Sequence, residues 1–157
     1  MKTSRRIATP FCWVAAILAG GCAKVPPPVT EVAGVVLLND KPLPQAQVEF
    51  IPDLQGFGAE LNSTATTDDH GRFTLTCNQK GESGAVVAKH WVIITDPAVP
   101  EDLRGMDARS QAKQQEFLRK LVNRPIPEQY STITKTPLKI DVTADQKTYT
   151  IKLTRKS

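Results

Sequence analysis

The stretch that decides the fold is Thr66–Cys77, TTDDHGRFTLTC. In its second half Phe73, Leu75 and Cys77 fall at every second position, which is the spacing of a β-strand with one buried face. Its first half carries aspartates and a glycine, which are typical of a turn between strands. The stretch is therefore predicted to be a turn followed by a strand.

The acidic residues of this turn invite comparison with a metal site. A calcium loop needs acidic side chains at alternate positions and a bidentate glutamate downstream, and Asp68, Asp69 and His70 are followed by neither. We expect Asp68 to accept backbone hydrogen bonds within the turn and Gly71 to adopt a positive φ, with Phe73 as the third structural residue. No metal or cofactor is predicted.

Further short strands are predicted on both sides of this turn. Three segments alternate apolar and polar residues, and two are continuously apolar, as in strands that are covered on both faces. Because short strands separated by turn residues are typical of a β-sandwich, we predict that fold. The alternating segments are AQVEFIP (46–52), LKIDVTA (138–144) and TYTIKL (148–153), and the continuous ones are EVAGVVLL (31–38) and HWVIIT (90–95).

One region has helical periodicity instead. Its apolar residues are three and four positions apart, Glu116 precedes Lys120 by four positions, and Pro125 ends the pattern. We predict a helix over 107–123 within an insertion at about 101–124. Its apolar stripe is expected to pack on the sandwich, and the alternative is a helix that docks onto a partner. The stripe consists of Phe117, Leu118, Leu121 and Val122.

The N-terminus has the order of a secretory signal: a basic start, an apolar stretch over 11–18, and small residues over 19–21. The apolar part is too short to span a bilayer, which takes about 20 residues. The segment AGGC (19–22) resembles the lipobox of bacterial lipoproteins, in which cleavage precedes a cysteine that carries lipid. An ordinary secretory signal with a chance cysteine is the alternative.

This resemblance implies a signal peptide at 1–21 and lipid attachment at Cys22, so that the membrane is one partner. Ala23 follows in place of an aspartate, which implies the outer membrane in Gram-negative lipoproteins, with the domain in the periplasm or at the cell surface. The proline-rich tether, 22–30, favours a polyproline II conformation. Its segment 23–29 would reach about 20 Å and lift the domain off the membrane.

Charge and cysteine content narrow the possibilities further. Three of the 20 lysines and arginines precede the apolar stretch, which leaves 17 basic residues against 16 acidic ones in the mature chain. A near-neutral chain offers no basic stripe for phosphates, so nucleic acid is not an expected partner. With Cys12 in the signal and Cys22 acylated, Cys77 has no partner for an intrachain disulfide, and the domain at 31–157 depends on its core.

The order of motifs resembles a family, the bacterial lipoproteins built on a carboxypeptidase regulatory-like, or transthyretin-like, domain. The resemblance implies an all-β sandwich, transthyretin-like or Ig-like, of about seven strands with one inserted helix. It also implies a non-catalytic module outside the cytoplasm, with a structural or binding role toward an envelope protein or polysaccharide. The matching segments are VAGVVLLNDKPLPQAQVEFIP (32–52), TTDDHGRFTL (66–75), AKHWVIIT (88–95) and IPEQYSTITKTPLKIDVTADQKTYTIKL (126–153).

An enzyme is the alternative, because the hydroxyisourate hydrolases share the transthyretin-like fold. They close on a Tyr-Arg-Gly-Ser tail, whereas this chain closes on LTRKS (153–157) without the tyrosine and glycine. We predict no catalytic residue: Cys77 is expected to be a buried, inert thiol and His90 a histidine of the strand surface. Only a cluster of His70, His90 and an arginine in one pocket would support a hydrolase.

Overall fold

A computed structural model describes residues 24–79 and 81–155, so the predicted signal peptide and Cys22 lie outside the described residues. Four of the eleven strands in this part have two residues each, which leaves seven of three residues or more. The strands are β1 (Val29–Thr30), β2 (Ala33–Leu38), β3 (Lys41–Pro42), β4 (Gln47–Pro52), β5 (Ser63–Thr66), β6 (Arg72–Thr74), β7 (Thr76–Cys77), β8 (Ala85–Val86), β9 (Lys89–Thr95), β10 (Lys139–Asp141) and β11 (Thr148–Leu153). The helix α1 is Ala108–Lys120, and short 3-10 helices lie at Ala59–Leu61, Glu101–Leu103 and Glu128–Tyr130.

The strands form two main sheets and one short ribbon. The large sheet is antiparallel, in the order β10-β9-β4-β5-β7. In the small sheet β11 runs parallel to β2, while β3 and β6 pair with successive parts of β2. The ribbon is β1 with β8. This arrangement confirms the predicted all-β sandwich with one inserted helix.

The chain crosses between the two main sheets at Leu75. Before it, β6 pairs with β2 in the small sheet, and after it β7 pairs with β5 in the large sheet. The Leu75 amide donates to the Val32 carbonyl at 2.9 Å at this crossing. The interpretation of 71–77 as a single strand is therefore wrong. Alternation continues through the crossing because both halves bury every second residue.

The core has two parts. The main cluster lies between the sheets and includes Phe50, whose ring centroid is 6.2 Å from that of Phe73. A smaller cluster contains Leu61, Cys77 and Val86. Cys77 therefore belongs to a different cluster from Phe73, although the alternation placed both on one face.

The outer faces of the two sheets are only partly covered. Apart from Gly34, the inward residues of β2 and β9 are buried, but the apolar residues between them are half-buried. The prediction that both faces of these strands are covered is therefore wrong, and apolar side chains remain partly accessible on each sheet. The half-buried set is Ala33, Val35, Leu37, Trp91 and Ile93.

The helix α1 lies within the insertion and is capped as helices commonly are. The Asp107 carboxylate accepts from the Arg109 and Ser110 amides, each at 3.0 Å. The side chain of Gln114 donates to the Leu103 carbonyl at 2.9 Å, which ties α1 to the preceding 3-10 helix. The helix ends at Lys120, three residues before the predicted end.

The predicted burial of the apolar stripe holds only for Leu121, which follows α1. No residue of α1 is buried, and Phe117 is only half-buried. Leu121, which follows the helix, is 8% exposed, but Leu118 is 41% and Val122 66% exposed. The inward face of α1 combines Phe117 with polar side chains, and two apolar residues of the pattern face solvent.

Candidate functional site

The insertion and the N-terminal segment lie at opposite ends of the sandwich. The antiparallel pair of β4 and β9 places Gln47 opposite Thr95 at one end and Pro52 opposite His90 at the other. At about 3.4 Å per residue, these ends are about 17 Å apart. We call them the insertion end, which continues into Asp96, and the tether end, which continues into the loop at 53–58.

At the tether end the N-terminal segment lies against the domain. Lys24 Nζ donates to the Gln55 carbonyl at 3.1 Å, and the lysine side chain runs over Gly56. Farther along, the Pro28 carbonyl accepts from the Val87 amide at 2.9 Å. The described part of the predicted tether therefore follows the sandwich and does not extend away from it as a spacer.

A surface cleft of about 390 Å³ opens at the same end. We call it the Trp91 cleft. It combines one aromatic ring with two lysines and two aspartates, all on strands or directly after one. Its lining consists of Asp53, Lys89, His90, Trp91, Lys139, Ile140 and Asp141.

Strand pairing positions the side chains of the Trp91 cleft. In the register of β9 with β10, Lys139 is opposite Trp91, and Asp141 is opposite Lys89. Lys139 Nζ lies 3.9 Å from the centroid of the Trp91 ring, a cation–π contact. Because alternate residues of a strand share a face, the aromatic and charged groups all lie on the outer side of the large sheet.

His90 lines this cleft but faces inward. Its side chain is 1% exposed, and Nε2 is 2.8 Å from the Val86 carbonyl, so the neutral ring carries its proton there. Nδ1 is buried without a hydrogen-bond partner. Burial lowers the pKa of His90, and the nearby Val86 carbonyl only partly opposes this effect. The prediction of a surface histidine is therefore wrong.

The turn at 68–73 has the geometry expected from the sequence. The Asp68 carboxylate accepts from the Arg72 amide at 2.8 Å and from the His70 amide at 2.9 Å. These bonds, that of Arg72 first, hold the pKa of Asp68 below its usual value. Gly71 has a φ of 73°, and Phe73 is 4% exposed. Asp68 and Gly71 thus form the turn, and the buried Phe73 side chain holds the strand that follows it.

The candidate catalytic residues do not form one site. Cys77 is fully buried, and its Sγ lies 3.9 Å from the Leu61 carbonyl. His70 is exposed in the turn, and the lining of the Trp91 cleft includes neither His70 nor an arginine. Within residues 24–79 and 81–155, no group of three or more His, Cys, Asp or Glu side chains could hold a metal ion.

At the insertion end, two side chains that the sequence analysis missed attach the insertion to the sandwich. Arg124 pairs with Asp96 and donates from one nitrogen to the Pro44 carbonyl at 3.0 Å. Asn123 Nδ2 donates to the Leu38 carbonyl at 3.1 Å. The only signal was their position, at the predicted end of the helix and directly before Pro125, and this position did not reveal their partners.

The exposed face of the insertion carries apolar and basic side chains. Met106 is 95% exposed, and Leu118 and Val122 are also exposed. Glu116 pairs with Lys120 at 2.8 Å on the surface of α1. The basic residues of α1 are Arg109, Lys113, Arg119 and Lys120.

No protein-family model, curated protein or solved structure matches this chain. The resemblance to transthyretin-like lipoproteins therefore stays a prediction. In the part of the chain that the structure describes, every helix is too short or too polar to cross a bilayer.

Proposed function

We propose that the protein is a non-catalytic, lipid-anchored module of the cell envelope that binds an envelope protein or polymer. The observation that carries this proposal is the placement of the N-terminal segment and the insertion at opposite ends of the sandwich. An anchor at one end would hold the insertion on the side that faces away from the membrane. No cofactor is required for this role.

The anchor is assigned to Cys22, which follows the lipobox-like segment 19–22. Each buried methylene of an acyl chain contributes about 0.8 kcal/mol, so the two or three chains of a lipoprotein anchor give stable membrane attachment. Ala23 favours the outer membrane, with the domain in the periplasm or at the cell surface.

The binding surface is assigned to the exposed side of the insertion. Leu118 on α1 and Val122, two residues after the end of α1, both present apolar area to solvent, which suits docking into an apolar groove of a partner. Arg124 and Asp96 hold the base of the insertion, so the insertion loses less conformational entropy when a partner binds. Apolar side chains favour an envelope protein over a hydrophilic polymer as the partner.

The test is crosslinking in cells, with the attached proteins and glycans identified by mass spectrometry. We expect one partner to be enriched with the native chain, and lost both with Leu118→Glu and with the unanchored Cys22→Ser. Ile133→Glu is the matched control, because Ile133 is 42% exposed, close to the value for Leu118, and lies outside the insertion.

Three results would contradict the proposal. The first is an identical set of abundant proteins with all four chains, and the second is membrane attachment of Cys22→Ser equal to that of the native chain. The third is a partner that Leu118→Glu retains. Recovery of a crosslinked glycan, still lost with Leu118→Glu, would make the partner a polymer.

A further inference from the structure

We propose that the tether end of the sandwich rests on the membrane surface, where the Trp91 cleft binds a zwitterionic phospholipid headgroup. The inference rests on the lipid anchor of the proposed function. It adds a specific orientation and a ligand for the Trp91 cleft, which the proposed function leaves without a role.

The first step is the length of chain between the anchor and the domain. Lys24 is held on the Gln55 carbonyl, and Cys22 precedes it by two residues. Two residues of chain span at most about 7.6 Å between Cα atoms. An acylated Cys22 would therefore bring the loop at 53–58 to the headgroup region, with no room for a long spacer.

The second step is the position of the Trp91 cleft beside that loop. Asp53 lines the cleft and is two residues before Gln55. Its amide donates to the Lys89 carbonyl at 2.8 Å, which continues the pairing of β4 with β9 to the tether end. The contact that holds Lys24 and the wall of the cleft thus belong to one short segment.

The third step is charge complementarity. Lys89 and Lys139 offer two ammonium groups to a phosphate, while Asp53 and Asp141 offer two carboxylates to the amine of a headgroup. Equal numbers of the two charges fit a zwitterion better than an anion. A volume of about 390 Å³ lies within the range of small-molecule sites, about 300 to 1,000 Å³.

The fourth step is the aromatic ring. Trp91 is half-buried on the outer face of the large sheet, with Lys139 held over its ring. Tryptophan and lysine are enriched where proteins meet the membrane–water interface, because each combines an apolar body with a polar tip. The Trp91 ring and the Lys139 side chain are therefore suited to lie at the depth of the lipid headgroups.

The opposite orientation makes a different prediction. The helix α1 has four basic residues against one acidic residue, Glu116, and would attract anionic lipid if it faced the membrane. It is attached at the insertion end, about 17 Å from the tether end by strand length. A probe at each end distinguishes the two orientations.

Tryptophan fluorescence provides that probe, because the chain contains only Trp13 and Trp91. The lipidated protein carrying Trp13→Phe is purified from membranes and reconstituted in phosphatidylethanolamine and phosphatidylcholine vesicles that contain a lipid brominated near the headgroup. We expect about a twofold loss of Trp91 emission, since the ring would lie at interfacial depth. Adding Lys89→Ala and Lys139→Ala should reduce this loss while the protein stays bound.

The control moves the probe to the insertion end. A chain with Trp13→Phe, Trp91→Phe and Leu118→Trp should keep its emission in the same vesicles. A larger loss for this chain than for Trp13→Phe alone overturns the orientation. Unchanged quenching of Trp91 after both lysine substitutions overturns the headgroup site.

Intact mass measurement separates failure of this inference from failure of the proposed function. If the mature chain carries no acyl mass at Cys22, both the proposed function and this inference are wrong. If it is acylated and vesicle-bound but Trp91 is not quenched, the anchor stands and only the orientation and headgroup site are wrong.

Discussion

The Arg124 guanidinium pairs with the Asp96 carboxylate and so joins the two ends of the insertion at its base. The same arginine donates to the carbonyls of Pro44 and Gln45, and its side chain is 11% exposed. Residues 97–123 therefore form an insertion that leaves the sandwich after Asp96 and returns to it at Arg124. The Arg124 side chain holds these two ends together.

Removing this arginine should loosen the insertion. We expect Arg124→Ala to lower the free energy of unfolding by about 1–3 kcal/mol, because the Pro44 and Gln45 carbonyls and the Asp96 carboxylate lose a charged donor. Urea denaturation gives the stability, and hydrogen exchange over 100–122 should rise. Arg119→Ala, on the exposed face of α1, is the control and should change stability by less than about 0.5 kcal/mol. Equal losses of stability from the two substitutions would contradict the role of Arg124 in holding the ends of the insertion.

The turn glycine can be tested against a glycine with a similar positive φ. Gly71 has a φ of 73°, and a Cβ there would lie 2.7 Å from the Val36 carbonyl oxygen. We expect Gly71→Ala to cost more than about 1 kcal/mol, since strain and a backbone clash add. Gly81, with a φ of 66° and nothing within 4 Å, is the control, and Gly81→Ala should cost clearly less in urea denaturation.

Burial of His90 should make stability depend on pH. Its pKa in the folded state lies below the ordinary value of about 6.5, so the unfolded chain binds the proton more tightly. The contribution of neutral His90 to the free energy of unfolding should be fully present above about pH 6.5. It should be lost as the pH drops toward the folded pKa, by at most about 1.4 kcal/mol per pH unit. Urea midpoints at neutral and mildly acidic pH measure this.

One substitution assigns that pH dependence. His90→Gln should weaken it, because the titrating group is gone. A pH dependence of stability that is unchanged in His90→Gln would refute the assignment.

Cys77 should be chemically silent in the folded protein. It is fully buried and its Sγ faces the Leu61 carbonyl, so a thiol reagent cannot reach it. In a chain with Cys12→Ser and Cys22→Ser, we expect no maleimide labelling in buffer and complete labelling in concentrated urea. Rapid labelling in buffer would show that the cluster of Leu61 and Val86 opens readily.

The sequence was most informative where local patterns decide structure. Alternation predicted the strands around Phe50 and Phe73, and the aspartate and glycine predicted the turn that Asp68 and Gly71 form. Helical spacing predicted a helix within the insertion, and Asp107 begins it as a cap. These features depend on the conformations and hydrogen bonds of residues that are close in the chain.

Orientation toward the core was less predictable. In HWVIIT (90–95) nearly every residue is apolar, so the pattern does not say which alternate set is buried. Packing against Phe50 selected His90, Val92 and Ile94 and left Trp91 on the outer face. The candidate binding cleft follows from that choice, and it was therefore absent from the sequence analysis.

By itself, the sequence determined the fold class, the turn at 68–73 and the presence of an inserted helix, because strand alternation, turn chemistry and capping act over a few residues. Only the tertiary structure decided the crossing between sheets at Leu75, the parallel pairing of β11 with β2, and the closure of the insertion by Arg124 and Asp96. Each joins parts of the chain whose pairing is selected by burial of the whole core, and no local pattern records that selection.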